Sequence, residues 1–230
     1  MSGLINFHEN FQPRRPRCRR SLSPAVEGLD QRALLSAGLS LPAAGHSVDV
    51  SRQIVAEHNG TVTETPRFYE DYVGPRLAQF DAVKATGTLQ RNGNFRFLGV
   101  NQGVINPNVR ATYVFGVDRN GNLPTGPFPG RPNIRFDATV AIKIVPGQSP
   151  TVVVTDLANK TTTTVQDPAL QITGRKVQVA IAGSLLPSTG LAPSQFRYAY
   201  WPEDGLAGST HIGSFAPDFR DIRVAAPHQS

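Results

Sequence analysis

Between residues 47 and 227 the chain is a succession of short runs in which every second residue is apolar. In "NFRFLGV" (94–100), Phe95 and Phe97 fall on one face, and in "RATYVFGV" (110–117) Ala111, Tyr113, Phe115 and Val117 do the same. The same two-residue period groups Val140, Ile142 and Ile144, then Val177, Val179 and Ile181, then Phe196, Tyr198 and Tyr200, and finally Ile222 and Val224. A period of two places alternate side chains on opposite sides of an extended chain, so each run predicts a β-strand with one face on a core. Turn chemistry fits between the runs. "RNGN" occurs at 91–94 and again at 119–122, and Asn-Gly favours the positive φ angles of tight hairpins, which predicts a hairpin at each place. Strands recurring without helical stretches between them predict an all-β fold, an antiparallel β-sandwich of jelly-roll or Ig-like topology.

Residues 1–46 do not share this pattern, and three residues, 228–230, follow it as a short tail. The 46-residue arm is rich in Pro, Arg, Ser, Ala and Gly and predicts a mostly disordered segment. Within its first 20 residues it carries Arg14, Arg15, Arg17, Arg19 and Arg20 against a single acid, Glu9, which is most of the formal net charge of +6. The remainder of the chain is close to neutral and 39% hydrophobic over the whole length. A body of this size buries about 70% of its unfolded surface and needs no disulfide to hold a core. The lone Cys18 lies in the arm, so the body can form no disulfide and no cysteine metal site. No apolar run reaches the roughly 18 residues of a membrane-spanning helix.

Chemistry is sparse. Asp118, Asn120 and Asn122 alternate in "VDRNGNLPTG", where their oxygens could converge on a calcium ion. Leu123 and Pro129 occupy positions where an EF-hand requires Gly and Glu, so such a site would be of the weak extracellular kind, with a dissociation constant of about 0.1–1 mM. The alternative is a plain turn. "AYWPEDG" places Trp201 beside Tyr200, Glu203 and Asp204, and an aromatic platform next to polar groups suits sugar stacking; its alternative is an ordinary packed aromatic. The histidines are scattered singly, and no zinc-protease, nucleophile-elbow, phosphate-loop or dinucleotide motif occurs. A Ser-His-Asp set could assemble in three dimensions, for example around His211 and Asp218, as in any chain of this length. The body lacks the signatures of RNA or DNA recognition.

Two resemblances sharpen this. "RLAQFDAVKATGTLQRNGNFRF", "ATYVFGVDRNGNLPTG" and "VQVAIAGSLLPSTGLAPSQFRYAYWPEDG" together resemble exported bacterial sandwich domains of the DOMON-like and family 9 carbohydrate-binding-module-like kind. The likeness spans about residues 75–218 through Asp81, Asp118, Asn120, Asn122, Thr125, Gly126, Asp137, Leu185 and Leu186. It implies a ligand-binding sandwich; the His and Met pair of its haem-binding members is missing, since Met1 is the sole methionine. In the arm, "LDQRALLS" resembles the LEPR-XLL motif of planctomycete-type exported and surface proteins, through Leu29, Arg32, Leu34, Leu35 and Ser36, with Asp30 for Glu. That motif implies an address, recognised by export machinery, and reassigns the arginine cluster from nucleic-acid contact to targeting. The expectation is a non-catalytic extracellular or cell-surface module that binds carbohydrate or another extracellular ligand, with no cofactor beyond calcium. A structural or adhesive protein interacting with surface or matrix components, or a secreted hydrolase, are the rival readings.

Overall fold

The structure is a computed structural model and describes residues 56–227. Twelve strands follow one another: β1 (Ala56–His58), β2 (Thr61–Thr63), β3 (Ala82–Leu89), β4 (Phe95–Asn101), β5 (Ala111–Asp118), β6 (Ala138–Ile144), β7 (Thr151–Asp156), β8 (Thr161–Thr164), β9 (Ala169–Thr173), β10 (Lys176–Ile181), β11 (Arg197–Glu203) and β12 (Ile222–Arg223). They form two six-stranded sheets, ordered β1-β2-β3-β4-β10-β9 and β12-β11-β5-β6-β7-β8. Every ladder between named strands is antiparallel. The all-β sandwich expected from the alternation is the observed fold.

The chain changes sheet between β4 and β5, between β8 and β9, and between β10 and β11. Because β4 lies antiparallel beside β10 and β5 antiparallel beside β11, the β4–β5 and β10–β11 crossings tie the sheets together at opposite ends of the sandwich. The two Asn-Gly dipeptides behave differently. Asn92-Gly93 closes the tight β3–β4 hairpin, with Gly93 at φ 82°. Asn120-Gly121 makes a turn as well (Gly121 φ 76°) but does not close a tight hairpin: β5 and β6 pair antiparallel across a long excursion, residues 119–137, that leaves the sheet between them. A local turn preference fixes φ signs over two residues and says nothing about where the next strand pairs.

The core between the sheets is aromatic. Phe95 and Phe97 of one sheet meet Phe196, Phe115 and Tyr198 of the other side, with ring centroids 5.2–5.8 Å apart. Such contacts add about 0.5–1.5 kcal/mol per pair to the burial of the rings. Room for the tyrosines comes from glycine: a Cβ on Gly87 would lie 2.6 Å from the Tyr198 ring, and one on Gly99 2.3 Å from the Tyr200 ring. Tyr200 donates to Asn101 Oδ1 at 2.9 Å inside this core.

In the sheet holding β11, β11 and its neighbour β5 are buried on both faces. The sheet's outer face carries Val114 and Trp201, directly opposite one another in register, and the excursion 119–137 folds over them with Phe128 and Phe136. Two arginines are buried within this cover. Arg119 donates to Asp137 at 3.0 Å and to Asp156 at 2.8 Å. Arg131 pairs with Glu70 at 3.0 Å and Asp218 at 2.8 Å, and lies over the rings of Tyr69 and Phe215. Each fully hydrogen-bonded guanidinium offsets its own desolvation and fastens a loop to the sheet.

Candidate functional site

A pocket of about 450 Å³ opens where the excursion, the loop before β11 and the segment before β12 converge. Strand register builds its floor. Arg197, the first residue of β11, stands directly opposite Asp118 of β5 on one side and Arg223 of β12 on the other. The three side chains occupy positions out of phase with the core residues Tyr198, Val117 and Ile222, so they project from the outer face of the sheet. Arg135 and Asn133 come from the excursion, Gln195 and Leu191 from the loop before β11, and Phe219, Arg220 and Asp221 from the segment before β12. Four arginines thus face two aspartates, an excess of positive charge in a partly enclosed space.

The polar groups of the pocket are incompletely matched. Arg135 donates through Nη1 to the Leu123 carbonyl at 3.3 Å, while its buried Nε has no partner among the described residues. Arg197 donates through Nη2 to the Asp221 carbonyl oxygen at 2.9 Å. Its Nε lies 3.0 Å from Asp221 Oδ2, within ion-pair range but with the N–H misaligned, so neither atom completes a hydrogen bond there. Burial pushes the Asp221 carboxyl up to about 6; the Asp118 charge adds to the rise, and Arg197 and Arg135 pull against it. The guanidinium groups an incoming anion can reach are those of Arg197, whose side chain is 41% exposed, and of the exposed Arg223, and they would bind it by charge-assisted hydrogen bonds.

A second, shallower depression of about 630 Å³ lies on the other side of the same loop. It is lined by Leu89, Asn92, Asn94, Ser184, Pro193 and Ser194, with no charged residue.

Of the residues singled out in the sequence, Asp118 lines the arginine pocket and the others fall elsewhere. Trp201 and Tyr200 do not form a platform: they are 2% and 0% exposed. Trp201 lies flat in the outer-face cover, over the space left by Gly116, whose Cβ would be 2.6 Å from its ring. Its indole N–H donates to Glu203 at 2.8 Å. Glu203 is thereby an internal partner of the tryptophan, with its carboxyl pushed up to about 7 by burial. Asp204 is also buried and sits 2.9 Å from His211 Nδ1. The adjacent carboxylates therefore diverge to different partners and offer no common site. A sugar cannot stack on rings already covered by Phe128, Phe136 and Phe215. Both faces of β11 being buried is the reason, since alternation alone does not say what covers the second face.

Asp118 Oδ1 accepts the amide N–H groups of Asn120 at 3.0 Å and Gly121 at 2.8 Å, the geometry of an Asx turn. Asn122 is exposed, and the residue across from Asp118 is Arg197. A carboxylate that already receives two N–H bonds and faces a guanidinium is a poor first ligand for a cation. Among the described residues no group of three or more His, Cys, Asp or Glu is placed to hold a metal ion. His211 pairs with Asp204 and Asp218 with Arg131, so the suspected trio is not assembled. Asp81, in turn, accepts the Arg67 amide at 3.0 Å, and Asp137 holds Arg119; both are scaffold residues. Leu29, Asp30, Arg32, Leu34, Leu35 and Ser36 lie outside the described residues.

No protein-family model matches this chain, and no curated protein matches it. Among the described residues no helix is long and apolar enough to cross a membrane.

Proposed function

We propose that this chain is a non-catalytic, exported β-sandwich module that binds an anionic extracellular ligand, carbohydrate in class, in the arginine pocket. The observation that carries the reading is the row Arg223–Arg197–Asp118 set by strand register, joined at the pocket wall by Arg135. Arginine forks recognise carboxylate, sulfate and phosphate oxygens through paired N–H bonds. The aspartates, Asn133 and Gln195 add groups able to accept from hydroxyls. Ser214 Oγ, which is buried, accepts the Ala82 amide and donates to the Phe80 carbonyl, a structural role. The motif around Leu29 to Ser36 supports delivery to the outside of the cell.

The test is retention of the full chain in gels cast with acidic or neutral polysaccharides. Slowed migration in the acidic gels, lost in Arg135→Gln and Arg223→Gln, is the expected result. Equal migration in all gels would leave the structural or adhesive reading in its place. Cell fractionation with N-terminal sequencing checks the address, and intact Met1 in the cytosol would reject export.

A further inference from the structure

The loop before β11 has a pocket on each side, and one short element lines both. Its 3-10 turn, Pro193–Gln195, presents Gln195 to the arginine pocket and Pro193 and Ser194 to the neutral depression. The two recesses are therefore neighbours separated by a single turn. Their chemistry differs. The arginine pocket offers guanidinium groups together with the carboxylates of Asp118 and Asp221, and the faces of Phe219 and Leu191. The neutral depression offers the amides of Asn92 and Asn94, the hydroxyls of Ser184 and Ser194, and the apolar surfaces of Leu89 and Pro193. Neither serine hydroxyl is engaged by another described residue.

We propose that the ligand is an acidic oligosaccharide lying across the Pro193–Gln195 turn, with a uronate in the arginine pocket and a neighbouring sugar in the neutral depression. The proposal rests on the anionic-ligand reading above and names its ligand. A uronate matches both signs of charge in the first pocket: its carboxylate meets Arg135, Arg197 and Arg223, while its hydroxyls donate to Asp118 and Asp221. A densely sulfated chain would bring further anions against those two aspartates, a like-charge cost. In the depression, serine and asparagine side chains can both donate to and accept from sugar hydroxyls, and Leu89 and Pro193 supply apolar surface for C–H faces. Two linked subsites raise affinity through effective concentration, so binding depends on ligand length.

The experiment is calorimetric titration of the full chain with galacturonate, its trimer and pentamer, a neutral pentasaccharide and a sulfated pentasaccharide. The pentamer is expected to bind at least about tenfold more tightly than the monomer, and both more tightly than the neutral and sulfated probes. In the variant Ser184→Leu/Ser194→Leu the pentamer affinity is expected to fall to that of the monomer, with the monomer affinity unchanged. Ser184→Ala/Ser194→Ala, which removes only the hydroxyls, reports the same loss in part and serves if the leucine variant does not fold. Pentamer binding no tighter than monomer, or a length dependence that survives both variants, overturns the two-subsite proposal while the anionic pocket stands. Sulfated and uronate pentamers binding alike overturns the choice of uronate. No binding by any anionic probe rejects the pocket itself.

Discussion

Trp201 shows how a single residue can carry opposite meanings. Next to Tyr200, Glu203 and Asp204 it reads as a sugar platform, yet in the fold it is the centre of a buried outer-face cluster with Phe128, Phe136 and Phe215. Trp201→Ala is expected to destabilise the protein by about 3–5 kcal/mol through cavity formation, measured by denaturant unfolding. Ligand retention by the folded fraction should be unchanged, because Trp201 does not line either pocket; a selective loss of binding would restore the platform. Arg119 is the polar counterpart. It is fully buried among Asp137, Asp156 and the Pro187 carbonyl, and its charge holds Asp156 well below the usual carboxylate range. Arg119→Met leaves two carboxylates buried without their cation, and the expected loss is about 3–5 kcal/mol in the same unfolding assay.

At the scale of elements, alternation in the sequence identifies the core faces of β4, β5, β6, β10 and β11. Phe97, Phe115, Val140, Val179 and Tyr198 are all 0% exposed. It is silent on pairing. The pocket exists because β11 lies between β5 and β12, so that Arg197, Asp118 and Arg223 line up. Those residues are separated by 79 and 26 positions of chain, and nothing local brings them together. What was legible is that each stands at a polar position out of phase with core neighbours; what was not is that the three positions adjoin. The same limit hid Arg119 and Arg131, whose burial follows from the excursion folding over the sheet. The glycines within strands are a further case. Gly99→Ala would drive a Cβ into the Tyr200 ring, and overpacking of this kind costs about 1–3 kcal/mol. A lowered thermal midpoint is expected; an unchanged one would mean that the two sheets have room to separate.

For the molecule as a whole, buried carboxyls set the dependence of stability on pH. Burial pushes Glu64 and Glu203 up to about 7 and Asp221 up to about 6. A carboxyl with a raised pKa holds its proton more tightly in the folded chain than in the unfolded one. Its ionisation therefore costs stability as pH rises from the ordinary carboxylate range through the folded value. Asp156, lowered by Arg119, acts in the opposite sense and withdraws stability only below that range. The thermal midpoint is accordingly expected to rise as pH falls from about 8 to about 5, and to decline in stronger acid. Glu64→Gln/Glu203→Gln should flatten the upper part of the curve in a calorimetric pH series; a midpoint that climbs steadily with pH would contradict the assignment.

The account centres on an anion held by guanidinium groups at the β11 end of the sandwich. Its most direct test is the affinity of the full chain for pentagalacturonate, wild type against Arg135→Gln/Arg223→Gln, with folding of both checked by thermal melting. The predicted result is binding by the wild type that weakens with added salt and falls by at least about tenfold in the folded variant, a loss of charge-assisted bonds worth about 1.5–3 kcal/mol each. Equal affinity of the two proteins, or none in either, would contradict it.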